Sequence, residues 1–289
     1  MAMYLTVAEF KNAPTAIDCT NIIPGASQAQ NDAELTNVIR RASAWINQIC
    51  KMPTLEATSN TEIKEVCLNS AGVLRIHPDM VPIITLLDSV QYKISPISNW
   101  VPLSITGINV FPRYFVSYNL AQVMISPQGV QPFALTPYRS PYVKWNMKNI
   151  PLMLQYSYIN GYPNTVLTAN SAIGTTSITV KNAIGMVNQT LTIYDSDKTE
   201  DVTILSVVGN VVTLASPLLF AHVAGMAVSA LPDSVKQAAI LLTSFLIQER
   251  GSLSISMGET TLQGLKQTSG TNVDVAKELL RPFLRGVIS

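Results

Sequence analysis

The clearest pattern of apolar and polar positions along the chain lies between residues 231 and 250. Apolar residues recur there at steps of three and four, which predicts an amphipathic helix. Pro232 suits a first helical turn, Asp233 supplies an acceptor near the free amides at the start, and Gly251 marks an end. The predicted apolar face carries Val235, Ala238, Ala239, Leu242, Phe245 and Leu246.

Two further helices are predicted near the N-terminus. Thr6 and Glu9 have the spacing of a capping box, in which each side chain accepts a hydrogen bond from the other residue's amide, so a short helix should begin there. Asn31 or Asp32 should cap a longer helix that ends before Pro53. We expect this longer helix to pack against helix 231–250. Its apolar stripe comprises Leu35, Val38, Ile39, Ala42, Trp45, Ile46 and Ile49.

Strand patterns occupy the middle of the chain. From about residue 61 to 162, short runs of β-branched and aromatic residues are separated by proline, glycine and asparagine, which predicts an antiparallel sheet with long loops. Residues 165–230 alternate at a period of two, with turn signals at 195–197 and at Gly209-Asn210. This second stretch predicts a separate β module of about five strands.

The C-terminal part begins with a Gly-, Ser- and Thr-rich span, residues 251–271, for which we expect a conditionally ordered loop. Asn272 should then cap a last helix, which Pro282 should bend. The predicted fold class is α+β. A helical-bundle core is expected from residues 1–55 and 231–289, an antiparallel β region from 56–164, and a small inserted all-β module from 165–230.

Composition narrows the possible functions. Charged residues make up 13% of the chain, about half the usual share, and the net charge is +1. No electrostatic field is therefore expected that would attract nucleic acid or an anionic membrane. The apolar run 238–247 is too short to span a bilayer. Three cysteines without a paired motif indicate buried free thiols in a reduced compartment.

A search for catalytic and metal-binding patterns is negative. His77 and His222 are the only histidines and stand apart in the sequence, so each is expected to be a core or turn residue rather than a ligand. No motif of a serine hydrolase, zinc protease or nucleotide-binding loop occurs. We therefore expect no catalytic residue, no metal and no cofactor.

Two clusters leave alternatives open. Asp195, Asp197, Glu200 and Asp201 could bind Ca²⁺, but the EF-hand spacing is absent and Lys198 interrupts the group, so a solvated hairpin tip is favoured. Aromatic residues could form a sugar-stacking platform, although strand packing explains most of them. These aromatic residues are Tyr114, Phe115, Tyr118, Tyr138, Tyr142, Trp145, Tyr156, Tyr158 and Tyr162.

Four segments, in order, suggest a family. They are Tyr4-Leu-Thr-Val-Ala-Glu-Phe10, Tyr156-Ser-Tyr-Ile-Asn-Gly-Tyr162, Pro232-Asp-Ser-Val-Lys-Gln-Ala238 and, after the Gly- and Ser-rich span, Ala276-Lys-Glu-Leu-Leu-Arg-Pro-Phe-Leu284. Together they resemble the head-tail connector (adaptor) proteins of tailed bacteriophages. The resemblance covers roughly residues 1–55, 150–164 and 231–289. Residues 165–230 interrupt it at a strand-to-helix junction, where an insertion costs little, and resemble small β domains of phage structural proteins.

The resemblance implies a non-enzymatic virion protein at the head-tail interface, assembled in the host cytoplasm and without a membrane partner. Such proteins form a dodecameric homo-oligomer that binds the portal protein and extends the channel. Genomic DNA passes through without sequence-specific binding, and a tail, stopper or nozzle protein attaches below. Expected portal-docking residues are Leu279, Leu280, Phe283, Leu284, Arg285, Val287 and Ile288. Residues expected to pack the helices within and between subunits are Leu35, Val38, Ile39, Trp45, Ile46, Val235, Ala239, Leu242, Phe245 and Leu246.

The apolar C-terminal helix, attached through residues 251–271, is expected to become ordered on docking. Deleting residues 272–289 should then abolish portal binding and leave the fold intact. The alternative function is a carbohydrate-binding or adhesin module of a phage tail protein, which would use the 165–230 module and aromatic residues such as Tyr142 and Trp145. A hydrolase built from distant carboxylates is a more remote possibility.

Overall fold

The computed structural model describes the chain except residues 1–2, 68–73, 87–89, 94–98, 103–104, 116–117, 128–150, 253–271 and 286–289. The chain divides into two compact units. The first unit combines Met1–Ala57 with Tyr162–Arg285, and the second consists chiefly of Thr58–Gly161. The predicted docking residues Val287 and Ile288 lie outside the described residues.

The first unit contains the four α-helices of the described residues. They are α1 (Val7–Asn12), α2 (Gln28–Cys50), α3 (Asp233–Ser252) and α4 (residues 272–280). The predicted capping box of α1 is confirmed, because Thr6 and Glu9 each accept from the other residue's amide. α2 and α3 pack against each other, which the two apolar stripes predict.

The start of α2 differs from the prediction. Ser27 caps the helix in a capping box with Gln30, so α2 begins several residues earlier than expected. Asn31 is buried instead: its side chain accepts from the amide of Ile23 at 2.8 Å and donates to the carbonyl of Thr20 at 2.7 Å. Asn31 therefore holds the preceding loop against the helix.

Residues 163–230 form a small closed sheet within the first unit. Its strands are β9 (Asn164–Val166), β10 (Ser177–Thr179), β11 (Thr190–Tyr194), β12 (Glu200–Val208), β13 (Val211–Leu214) and β14 (Ala227–Ser229). Their order is β10-β13-β12-β11-β14-β9, with antiparallel neighbours. An antiparallel bridge from Leu167 to Val180 joins the two edge strands. We call this six-stranded closed sheet the barrel.

The barrel has its own apolar core. Alternation along the strands turns every second residue inward, as the period-two pattern predicts. The inward side chains include Ile178, Val180, Leu191, Ile193, Val202, Ile204, Val212, Leu214 and Val228, all of them buried. Gly209-Asn210 connects β12 and β13 as a tight turn, also as predicted.

The second unit is built from β-strands in the part that the structure describes. They are β1 (Thr58–Cys67), β2 (Leu74–Ile76), β3 (Ile83–Leu86), β4 (Gln91–Lys93), β5 (Val101–Pro102), β6 (Ile105–Phe115), β7 (Tyr118–Pro127) and β8 (Pro151–Asn160). One antiparallel sheet has the order β1-β8-β4-β5, with β3 also paired to β8, and the other has the order β2-β7-β6. The core of the first sheet includes Leu154, Tyr156 and Tyr158.

The predicted helical-bundle core is wrong. The fold is mixed α and β, with three antiparallel sheets and few helices among the described residues. α1 has only 6 residues, and α2 and α3 are the only long helices in this part of the chain. Two long helices cannot enclose a bundle core, since each leaves most of its circumference uncovered. The helices instead share one compact unit with the barrel.

Candidate functional site

The predicted docking segment is packed into the first unit. Leu280 is fully buried, and the ring of Phe283 contacts the ring of Tyr162 edge-on, with centroids 6.2 Å apart. The amide of Arg285 donates to the carbonyl of Cys50 at 3.0 Å. Leu279 and Leu284 are half-buried. Most of the described apolar residues in this segment therefore contribute to the unit's own core.

The outer face of α4 presents a different set of side chains. Val275 is exposed, and the flanking charges pair along the helix, Lys277 with Asp274 and Arg281 with Glu278. Exposed pairs of this kind contribute little to stability. A partner that binds α4 would meet this face, which carries one apolar side chain between charges of both signs.

The N-terminal Tyr4 is anchored to α2. Its amide donates to Ser43 Oγ at 3.1 Å, and its phenol donates to the Asn47 side chain while accepting from the amide of Leu55 at 2.8 Å. Burial raises the pKa of Tyr4 to about 12, so the phenol stays protonated and can donate at neutral pH. Tyr4 thus ties the start of the chain to α2 and to the segment that follows it.

A buried ion pair joins α1 to α3. Glu9, which already caps α1, contacts the ammonium of Lys236 through its other carboxylate oxygen. The ammonium also lies 4.1 Å from the centroid of the Tyr194 ring on β11, and the Tyr194 hydroxyl donates to Asp233 at 3.3 Å. Desolvation lowers the pKa of Lys236, and Glu9 opposes that shift. One lysine thereby connects two helices and the barrel.

The predicted packing residues of α2 and α3 fall into two groups. Trp45, Phe245 and Leu246 are half-buried, and the rings of Trp45 and Phe245 lie 5.8 Å apart at 60°. An aromatic pair that keeps part of its surface in solvent is available to a neighbouring molecule. The fully buried group is Leu35, Val38, Ile39, Ile46, Val235, Ala239 and Leu242.

His222 is not isolated in the structure. Its Nδ1 lies 2.9 Å from Asp195 Oδ2 and its Nε2 lies 2.8 Å from Glu200 Oε1, while its own side chain is fully buried. Both ring nitrogens therefore lie within hydrogen-bond distance of a carboxylate oxygen, and the ring donates to at least one of the two carboxylates. These contacts of His222 are difficult to predict from the sequence, because Asp195 precedes His222 by 27 positions.

Glu200 has further partners on the neighbouring loop. Its carboxylate accepts from the amides of Leu219 at 2.8 Å and Phe220 at 3.1 Å. Burial alone would raise the pKa of Glu200, but the Leu219 amide, His222 and the Phe220 amide outweigh burial and lower the pKa. The prediction of a solvated hairpin tip is therefore correct for Asp197 and Asp201, which are exposed. It is wrong for Glu200, which is buried.

These carboxylates do not assemble a metal site. Asp201 accepts from the Thr192 hydroxyl at 2.6 Å, and Glu200 is occupied by His222 and two amides. In the described part of the chain, no three His, Cys, Asp or Glu side chains are grouped so that they could hold a metal ion.

Two aromatic candidates in the second unit, Tyr156 and Tyr158, belong to a buried network. The rings of Tyr156 and Tyr158 stack with centroids 5.8 Å apart, and both hydroxyls donate to the carboxylate of Glu62. That carboxylate also accepts from the amide of Asp79 at 3.0 Å. Burial and the Glu62 charge raise the pKa of both tyrosines. Neither ring is free to stack on a sugar.

The side chains of the remaining aromatic candidates in the second unit lie outside the described part of the structure. Tyr138, Tyr142 and Trp145 lie outside the described residues. Tyr114 and Phe115 belong to β6 and Tyr118 to β7, for which the backbone pairing is described. The platform that a carbohydrate-binding protein would need therefore stays a prediction.

The remaining candidates are the cysteines and His77. All three cysteines are free, and Cys19 and Cys50 are buried as expected, whereas Cys67 is exposed. Desolvation raises the pKa of Cys50 to about 12, which keeps it a thiol at neutral pH. His77 is exposed and is therefore not a core residue.

Helices of the described residues include none that combines the length and apolar character needed to cross a membrane. Comparison with known protein families finds no family whose sequence profile matches this chain. Comparison with curated proteins likewise finds no significant match.

Proposed function

We propose that this protein is a head-tail connector of a tailed bacteriophage, a virion structural protein that forms a closed homo-oligomeric assembly on the portal. It extends the channel through which genomic DNA passes without sequence-specific binding. It also offers a platform to a tail, stopper or nozzle protein. No catalytic step belongs to this function.

The observation that supports the proposal is the convergence of the segments behind the resemblance. Glu9 of the N-terminal segment contacts Lys236 of the Pro232 helix, although the two are 227 positions apart. Tyr162, which closes the β region, packs against Phe283 of the C-terminal segment. Segments 4–10, 232–238 and 276–284 thus lie in one structural module, the first unit, together with Tyr162 from the end of the other segment, whereas residues 156–161 belong to the second unit.

The insertion within this module supports the proposal as well. The amide of Ala230 donates to the carbonyl of Pro163 at 2.8 Å, so the chain enters and leaves the barrel at neighbouring positions. A domain whose ends meet can be inserted into a junction without separating the flanking elements. The connector elements on either side therefore remain able to pack together.

The docking surface on α4 has to be its outer face, since the inner side chains are buried. Val275 is the exposed apolar residue there, and Lys277 and Glu278 flank it. The expectation that the last helix orders only on docking is revised accordingly: residues 272–285 already form part of the first unit. A truncation at 272 would remove buried side chains and would not test docking alone.

The test mixes the purified chain with the portal protein of the same virion and images the complex by negative-stain electron microscopy. A closed assembly on one face of the portal is expected. Val275→Asp should weaken portal binding by about tenfold or more, as for an interface hot spot. Ile63→Asp, a similarly exposed apolar position in the second unit, serves as the matched control.

Two results would contradict the proposal in different ways. Absence of any complex between the wild-type chain and the portal would reject the connector function. Undiminished binding by Val275→Asp, together with a normal closed assembly, would reject the α4 docking face and leave the function standing.

A further inference from the structure

The two ends of the barrel both expose apolar side chains. Strand direction alternates around the closed sheet, so successive connections lie at opposite ends. We call one the hairpin end, formed by residues 180–189 and 208–211 at the end where the chain enters and leaves the barrel at Pro163 and Ala230. We call the other the acidic end, formed by residues 167–176, 195–201 and 215–226.

The hairpin end carries Val208 at its tip, with 77% of its surface exposed. Val211 lies across the tight turn from it, and Ile184 and Val187 on the neighbouring connection are exposed too. Exposed apolar residues that cluster at one place on a surface mark sites of interaction with other proteins, whereas singly scattered ones need no such explanation.

The acidic end carries a matching apolar group. Leu219 is 67% exposed, and Phe220 and Val223 follow it on the same connection. Ile173 joins them from the facing connection, because Ser171 pairs with His222 and Gly174 donates to the carbonyl of Leu218. The exposed side chains therefore come from two antiparallel segments.

Hydrogen bonds to the side chains of Glu200 and His222 hold this group in place. Glu200 accepts from the amides of Leu219 and Phe220, and His222 links Glu200 to Asp195. The loop is therefore fixed with Leu219 and Phe220 exposed. A surface that is ordered before it binds loses less conformational entropy on association.

The charges of the two ends are complementary. Residues 163–230 contain six Asp, Glu, Lys or Arg residues, of which Lys181 alone lies at the hairpin end. The acidic end holds the other five, four carboxylates and Lys198, with Asp197 and Asp201 exposed. Opposite charges beside apolar groups favour contact between unlike ends and disfavour contact between like acidic ends.

We propose that the hairpin end of one copy of this chain binds the acidic end of the next copy. The contact is heterologous: two different faces of the same protein meet, which is the arrangement that closed rings and open filaments require. Val208 and Val211 pack against Leu219 and Phe220 of the neighbour, and Lys181 faces Asp197 or Asp201. This interface is separate from α4 and does not depend on portal binding.

The test uses sedimentation velocity of the full chain over a concentration series. The wild-type chain should associate reversibly, whereas Val208→Asp and Leu219→Asp should each lower the association constant by about tenfold or more. A mixture of the two variants retains one intact hairpin end and one intact acidic end, so it should form a one-to-one dimer and nothing larger.

Controls and contradicting results are specific to the proposed contact. Ile63→Asp adds the same charge at a position that is 53% exposed and should associate like the wild type. Lys181→Glu, a milder surface change, should also weaken association, and mixing it with Asp197→Lys should restore it. A wild-type chain that stays monomeric, or a Leu219→Asp variant that self-associates normally, would overturn the inference. Such a failure would leave portal docking through α4 unaffected.

Discussion

At the scale of single residues, Lys236 connects three elements of the first unit, namely α1, α3 and the barrel. It is nearly buried, and its ammonium contacts the Glu9 carboxylate and the face of Tyr194. A buried charge is tolerated only when it is paired, because desolvation of an unpaired ion costs several kcal/mol. The pair therefore fixes α1 and the barrel to the start of α3.

Lys236→Met is expected to destabilise the first unit by about 3–5 kcal/mol, since it leaves the Glu9 carboxylate buried without its counter-charge. The double variant Glu9→Gln with Lys236→Met should recover part of this loss, because both charges are then removed. Urea unfolding followed by circular dichroism measures both effects. Equal stability of the single variant and the wild type would contradict the role given to this pair.

The lowered pKa of Glu200 predicts that the barrel becomes less stable at acidic pH. Its pKa in the folded state lies below the ordinary value of 4.5, so the folded state binds the proton less readily than the unfolded state. The stabilisation is therefore complete above about pH 4.5 and is lost as the pH falls towards the folded-state pKa. Glu200→Gln should flatten this part of the melting-temperature profile, recorded from about pH 6 to about pH 3.

The matched control for that measurement is Asp201→Asn, which removes an exposed carboxylate from the same strand. It leaves Glu200 and its two amide donors in place, so the melting temperature of this variant should still fall at acidic pH as it does in the wild type. If Glu200→Gln shows the same acid dependence as the wild type, the contacts of Glu200 with the 218–222 loop do not stabilise the barrel.

At the scale of elements, α4 is part of the core. Ala276 and Leu280 are fully buried on its inner side, whereas Val275 faces outward. Leu280→Ala should cost about 2–5 kcal/mol, because it removes buried apolar volume and leaves a cavity. Val275→Asp should change the free energy of unfolding by less than about 0.5 kcal/mol. Chemical denaturation of both variants makes the comparison.

If Val275→Asp lowered the free energy of unfolding more than Leu280→Ala does, the helix would present its Leu280 side to a partner. That outcome would return the C-terminal segment to the arrangement expected from sequence alone, in which its apolar residues are kept for docking. The contact between Phe283 and Tyr162 supports a buried Leu280 and an exposed Val275, because it holds the end of the segment against the first unit.

At the scale of the whole molecule, the barrel should fold by itself. It has a closed sheet and a separate apolar core, and its ends meet at Pro163 and Ala230. A fragment of residues 163–230 should therefore show β-sheet circular dichroism and cooperative thermal melting. A chain with residues 164–229 deleted is the complementary variant, and its helices should remain folded. An unfolded fragment would show that the barrel needs Lys236 and the helices.

Local features of the fold are predictable from the sequence. The Thr6 and Glu9 capping box, the Gly209-Asn210 turn and helix α3 depend on residues a few positions apart, whose geometry is set by the backbone itself. The cap of α2 is harder to predict even though Ser27 and Gln30 stand at the right spacing, because the polar Asn31 and Asp32 offer a competing cap. In the structure, Asn31 is a buried loop anchor.

The candidate site is less predictable, because it depends on residues that are distant in sequence. Nothing near His222 indicates Asp195 and Glu200 as its partners, and nothing near Lys236 indicates Glu9. The helical-bundle prediction is wrong for a related reason: apolar stripes show that a helix face will be buried, but not whether a helix or a sheet covers it.

The sequence alone therefore determined the elements with a clear period, their local caps and turns, and the absence of known catalytic motifs. Only the tertiary structure decided which faces meet, which charges are paired in the interior and which apolar residues stay exposed. Periodicity and capping are short-range properties of the backbone, whereas burial depends on contacts between distant segments. Leu280 and Val275 illustrate the difference, since the pattern treats both as apolar helix positions and folding buries only one of them.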